Sequence, residues 1–387
     1  MQGKRGSALL GAVALTAVSA GVALAASPSF EPHVFYKTGT GPTDVVWADF
    51  TGDGQRDLVT ANEDGEEVSV LPGKPDGTFD VADRDDYPVG GEARGLLAKD
   101  LDGDGRRDLA VTTDDLTIPQ DADDGVWVLK GRRNGTLRDP VEYAAGTNPR
   151  GIIAADFNRD GRQDLAVANQ LSNDVSILEG KRNGTFRNAV DYPVGGNPHG
   201  IVATDLDGDG DQDLAVACAG SNGSISILEG KRNGTFKDRE DFDGTSNGSA
   251  PVSLVAGDFW GNRHKDLAVA NRNDDALQIL EGRRGANFRD RTILNLVGDA
   301  PVDVTKGDFD RDGRTDLAVV NQDSDDISIL EGMRIKEFKL AVDHTVGVGA
   351  EPVAITKGRF DRGKLQDLAV ANHFVSDVSV FINDTSD

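Results

Sequence analysis

One acidic segment returns seven times along this chain, and that return constrains the fold more than any other feature. The pattern D-x-D-x-D-G-x-x-D-L-A-V, whole or degraded, begins at Asp49, Asp100, Asp156, Asp205, Asp258, Asp308 and Arg359, at spacings of 51, 56, 49, 53, 50 and 51 residues. A unit of about fifty residues cannot bury its apolar face alone, so the copies must stack on one another. Inside each copy the apolar runs are short, rich in β-branched residues and interrupted by Gly, Asn and Asp. In the third copy they are Gly151-Ile-Ile-Ala-Ala155, Leu165-Ala-Val-Ala168, Val175-Ser-Ile-Leu178 and Phe186 through Val194. No long 3.6-residue period follows the N-terminal segment, so each copy reads as four strands. Asp76-Gly77, Asn134-Gly135, Asn183-Gly184 and Asn233-Gly234 join the third strand to the fourth and suit the positive φ angles of a tight hairpin. The Asn-Gly-Thr triplets also match a glycosylation acceptor, but the turn accounts for them without it.

The two ends complete the pattern. Phe30-Glu-Pro-His-Val-Phe-Tyr-Lys37 reads as a fourth strand, like Phe186-Arg-Asn-Ala-Val-Asp-Tyr192, whereas Val378-Ser-Val-Phe-Ile382 reads as a third strand lacking its fourth. Pairing the two closes a ring and leaves no bare sheet edge. The expected fold is all-β: a single seven-bladed β-propeller of four-stranded blades over residues 27–387, its last blade completed by the N-terminal strand.

Residues 1–26 carry Lys4 and Arg5, an apolar run from Ala8 to Leu24, and Ala23-Leu24-Ala25. That is the layout of a secretory signal with small residues at the cleavage site, and it predicts export. A membrane anchor is the weaker reading, because Gly11, Thr16, Ser19 and Gly21 interrupt the run. No later stretch is apolar enough to span a bilayer. Acids outnumber bases 66 to 41, for a net charge of -25, which argues against nucleic acid as a partner. The lone Cys218 excludes a disulfide framework and reads as a small buried hydrophobe.

The repeat, as in Asp308-Phe-Asp-Arg-Asp-Gly-Arg-Thr-Asp-Leu-Ala-Val319, resembles the FG-GAP or VCBS-type repeat that also builds the integrin α-chain propeller. The resemblance covers essentially everything after the N-terminal segment. It implies a propeller and calcium, with the acidic loop joining the first and second strands of a blade. It implies no one activity, since the family includes adhesion proteins, lectins and parts of larger enzymes.

The loops carry their own argument for the metal. Calcium takes six to eight oxygen ligands from a flexible loop, and acids at positions one, three, five and nine with glycine at six can wrap it. The second loop offers Asp100, Asp102, Asp104 and Asp108; the fourth Asp205, Asp207, Asp209 and Asp213; the sixth Asp308, Asp310, Asp312 and Asp316. The third offers Asp156, Asn158, Asp160 and Asp164, and the first Asp49, Thr51, Asp53 and Asp57, expected to be weaker. About five calcium sites follow. The fifth copy has Trp260 at position three and no glycine at six, and the seventh has Arg359 at position one and Gly363 at five, so neither is expected to bind. Arg359 is instead expected to neutralise Asp361 and Asp367. Bare solvated turns are disfavoured, because the 18 carboxylates in these five loops would repel one another without an ion.

Function on a rigid repeat usually sits on the loops of one face. At the end opposite the acidic loops, the residues opening three consecutive blades include Arg94, Arg150 and His199. This arc could hold a carboxylated or sulfated sugar, or an acidic segment of a partner; the plainer expectation is pairing with the acidic insertion from Asp114 to Asp124. Asn62, Asn169, Asn271, Asn321 and Asn372 recur on the same face and are expected to cap turns through backbone hydrogen bonds. The histidines show no metal spacing and no nucleophile motif appears, so an enzyme is not expected. The leading reading is a secreted, monomeric, calcium-binding interaction or adhesion module that meets an extracellular protein or glycan. A carbohydrate-binding lectin stands second and a glycan-processing enzyme third.

Overall fold

A computed structural model of the chain describes residues 27–114, 124–243, 249–295, 297–333 and 337–385; the signal-like residues 1–26 lie outside them. Seven four-stranded antiparallel sheets stand in a ring. In the third blade the order is Pro149–Ala155, Asp164–Asn169, Asp174–Leu178 and Val190–Pro193. The seventh consists of Pro352–Gly358, Asp367–Asn372 and Asp377–Phe381, and Val34–Lys37 from the other end of the chain pairs on its outer edge, Tyr36 opposite Val378. Ring closure by the N-terminal strand is therefore as expected, and first strands of neighbouring blades touch all the way round.

The second strand of each blade explains why the repeat is strict there. Asp-Leu-Ala-Val-Ala-Asn is buried at all six positions in the third, fifth and seventh blades, because both faces of a central strand meet a neighbouring blade. The core is accordingly a series of clusters between blades; one joins Ala166, Val175 and Ile177 of the third blade to Ile201, Leu214 and Val216 of the fourth. The second residue of the acidic loop adds to it. Phe157 packs edge-on against Phe236 of the next blade, centroids 5.6 Å apart, and Phe360 against Phe79 at 5.7 Å, pairs worth about 0.5–1.5 kcal/mol beyond their burial. Cys218 is buried in the same cluster as Leu214 and Val216.

Two details depart from expectation. The hairpin turn is closed by Gly184 N–H to the Lys181 carbonyl at 2.9 Å, and the glycine has positive φ while Asn183 does not. The Asn183 side chain instead accepts from the Thr185 hydroxyl at 2.7 Å. The recurring asparagines also differ: they are buried, and they bond mainly to side chains rather than to turn backbone. Asn169 Nδ2 donates to Ser176 at 2.9 Å, and the Ser176 hydroxyl donates to Asp191 at 2.7 Å. Asn62 and Asn372 make the same bond to Ser69 and Ser379, both 2.8 Å. The result is a buried polar link between the second and third strands of the first, third, sixth and seventh blades, out of reach of a sugar; Asn271 instead turns to the Val269 carbonyl.

Candidate metal loops and the channel mouth

Each acidic loop joins a first strand to a second and folds around its ninth residue. Asp57, Asp108, Asp164, Asp213, Asp266, Asp316 and Asp367 are all buried. In every one, Oδ2 accepts the N–H of the loop's second residue. Oδ1 accepts an N–H at or just beyond the end of the third strand. In the second blade both bonds measure 2.9 Å; in the seventh they measure 2.7 and 2.9 Å. The ninth aspartate is thus a staple that the degenerate loops keep. Burial pushes Asp164, Asp213 and Asp367 up to about 6 and Asp316 to about 7, with those hydrogen bonds pulling the other way.

Positions one, three and nine converge. In the second, fourth and sixth loops, one oxygen from each of Asp100, Asp102 and Asp108, of Asp205, Asp207 and Asp213, and of Asp308, Asp310 and Asp316 lies within 4.8 Å of the others. The first and third loops place Thr51 and Asn158 at position three. Position five stands apart: Asp104, Asp160 and Asp312 pair with Arg106, Arg162 and Arg314 two residues on, and Asp53 and Asp209 accept backbone N–H groups two residues on. Backbone N–H groups also wrap position one, as Gly103 and Gly105 do at Asp100, 2.7 and 2.9 Å, so repulsion within the loop is partly answered by the chain itself. At the candidate ligand positions two atoms remain orphaned: Asp308 Oδ1 and Thr51 Oγ1 are buried without a hydrogen-bond partner. A hard divalent cation fits that donor set, oxygen only and three carboxylates deep. Arg359 does not do what the sequence suggested. It is exposed, with no ion pair to Asp361 or Asp367 among the described residues.

The hairpin of each of several blades closes over the loop of the blade before it. A side chain on Gly184 would strike Asp102, on Gly135 Thr51, on Gly234 Asn158 and on Gly77 Asp361. In every case the struck residue is position three. Gly285 in the fifth blade has open space instead.

At the other end of the ring, the residues opening the first strands surround a cavity of about 230 Å³. Each of these strands begins with a bulge, as between Pro149 and Ile152, and a bulge re-aims the side chain it carries. Arg94, Arg150 and His199 do come together here, but unequally. Arg94 is 7% exposed and pairs with Glu63, Glu92 and, at 3.7 Å, Asp114. The expected pairing with the 114–124 insertion is therefore seen at Asp114, while residues 115–123 lie outside the described residues. Arg150 has no carboxylate in ion-pair range among the described residues; its Nε donates to Gln170 Oε1 at 2.9 Å. The Gln170 amide in turn lies 2.9 Å from His199 Nε2. Burial and the Arg150 charge push His199 down to about 4, so the ring is neutral at pH 7. Two carboxylates also line the cavity, both engaged: Asp44 accepts from Val45 and Leu96, each at 2.7 Å, and Asp303 from Ser253, Val304 and Ile355. These bonds tie neighbouring first strands together.

Gln170 is the residue that sequence reasoning missed. Its signal was present: it follows the second strand, where the other copies place Glu63, Asp114, Arg272, Gln322 and His373. Only the fourth copy departs, with Ala219.

The sequence profile of the FG-GAP-like repeat matches residues 49–111, 112–167, 156–216, 205–269 and 258–319. The chain belongs to the FG-GAP-like repeat family. No curated protein matches it. Among solved structures, this FG-GAP-like ring is similar to BBS1N in complex with ARL6DN, with TM-score 0.61, 14% identity, and 94% of this chain and 99% of that chain covered. A streptogramin B lyase has TM-score 0.61 at 14% identity, covering 92% and 98%. An Agrocybe aegerita lectin that recognises non-reducing terminal N-acetylglucosamine has TM-score 0.54 at 16% identity, covering 91% and 87%. At such identities the likeness is one of fold.

Proposed function

We propose that this FG-GAP-like propeller is an exported, non-enzymatic interaction module whose acidic loops hold structural calcium and whose channel-mouth face meets the ligand. The single observation that carries the calcium part is the convergence of three carboxylates in alternate loops, with Asp308 Oδ1 buried and unpartnered inside one such group. The residues that would hold the ion are positions one, three and nine of the second, fourth and sixth loops, with Thr51 and Asn158 standing in at the first and third. Bound calcium would supply charge neutralisation: loss of Lys4 and Arg5 takes the net charge from -25 to -27, and five ions would bring it to about -17. Affinity on the order of 10⁻⁴ to 10⁻³ M suits an extracellular module, in keeping with the signal-like residues 1–26.

The non-enzymatic reading is supported by the wiring of the mouth. His199 Nε2 meets an amide rather than an orienting carboxylate, and Asp44 and Asp303 spend their oxygens on backbone and serine donors. The lectin reading draws on the Agrocybe aegerita structure alone. A glycan array probed in calcium and again in chelator separates the three: silence in both leaves the protein-binding module, calcium-dependent selective binding establishes the lectin, and sugar release establishes the enzyme.

A further inference from the structure

The channel mouth is divided by chemistry. One side carries Arg150 and His199; the same strand position in the fifth, sixth and seventh blades carries Val252, Val302 and Val353, and all five line one cavity. Gln170 sets the polar side. A guanidinium can only donate, so the bond from Arg150 Nε fixes Gln170 Oε1 toward it and turns Gln170 Nε2–H toward His199 Nε2. The imidazole proton is then on Nδ1. The Arg150 Nη groups and this Nδ1–H are donors with no partner among the described residues. They sit in an acidic protein whose other mouth arginine is already held by three carboxylates.

We infer that the mouth binds a compact organic carboxylate, its anionic head on Arg150 and His199 and its apolar body against Val252, Val302 and Val353. Arg94 is held by carboxylates and Asp44 and Asp303 accept from backbone and serine donors, so Arg150 beside a neutral imidazole matches one negative charge, and the two carboxylates on the cavity wall weigh further against a dianion. The valines offer nothing to sugar hydroxyls, and a polar ligand pressed against them would lose its hydrogen bonds to water. A cavity of about 230 Å³ limits the bound part to a small group. The inference deepens the reading of the mouth as the ligand face and does not depend on calcium.

Calorimetric titration of the calcium-loaded full chain with benzoate, benzamide, glucuronate and sulfate tests it. Benzoate is expected to bind at least tenfold more tightly than each of the other three, and Arg150→Gln to weaken it at least tenfold. The paired change Arg187→Gln with Glu179→Gln, an exposed ion pair that does not line the cavity, removes one charge of each sign and is expected to stay within about threefold of the parent. Val302→Thr with Val353→Thr keeps shape while adding hydroxyls, and is expected to weaken benzoate by about tenfold. Melting curves of all variants verify folding. Equal binding of benzoate and benzamide, tighter binding of glucuronate or sulfate, no benzoate binding, or a loss in the Arg187 and Glu179 pair equal to that at Arg150 would each overturn the inference, while leaving structural calcium and partner binding to their own tests.

Discussion

The two ends of this ring obey opposite rules. At the acidic-loop end, seven blades repeat one hydrogen-bond pattern around a buried aspartate, and even the loops that lost positions one or three keep it. At the mouth, one strand position runs Thr43, Arg94, Arg150, His199, Val252, Val302 and Val353, with no residue kept in every blade. Folding a ring of equal blades needs the same staple in each, so what recurs is what closes the blade. A ligand meets the whole mouth once, so side chains there are free to diverge. Within the loops the same contrast separates position nine, kept in every copy, from positions one and three, which vary with the capacity to hold a cation.

That contrast can be broken most severely at the staple. Asp367→Ala leaves two buried N–H groups without an acceptor and is expected to cost about 3 kcal/mol or more, with the same loss in calcium and in chelator because the seventh loop is degenerate. Asp213→Ala is expected to lose as much in chelator and more in calcium. Denaturant titration under both conditions measures the difference, and equal calcium dependence in the two variants would erase the distinction between staple and ligand. Next in size is the hairpin clasp. Gly184→Val drives a side chain into Asp102 at a backbone φ of +68° and is expected to destabilise by about 2–3 kcal/mol; Gly285→Val, at +80° with open space, should cost about 1 kcal/mol.

The mouth is expected to respond to pH. Burial pushes Asp44 up to about 7, with Asp303 adding to the shift, against about 3.9 in an unfolded chain. Between those values the folded chain holds a proton that the unfolded chain has released. This group's contribution therefore makes stability fall as pH rises from about 4 to about 7 and level off above. Chelated protein melted across that range is expected to show a shallower slope in Asp44→Asn. The smallest effect is a gain: Thr51→Asp completes the first loop and is expected to raise the calcium-dependent part of Tm by about a degree, read by scanning calorimetry.

Much of this was legible in the sequence because repetition is itself structural information. The blade count, the four strands and the borrowed strand at Val34–Lys37 follow from spacing, and of the four ligand positions read there, one, three and nine converge in three loops. What was not legible depends on neighbours far apart in the chain. Arg94 and Arg150 look alike in sequence; only the fold brings Glu63, some thirty residues away, onto one and Gln170 onto the other. The asparagines were misread for the same reason, since Ser176 lies on the adjacent strand. Nor does acidity at position five show that the arginine two residues on lies against it in three loops.

The central claim is that the loops are built for calcium beyond what the staple requires. Equilibrium dialysis against calcium at millimolar concentration, paired with melting of the same samples, tests it directly. About five ions per chain are expected, with a Tm that falls by several degrees on chelation. A chain that binds no calcium, or that melts at the same temperature with and without it, would contradict the claim.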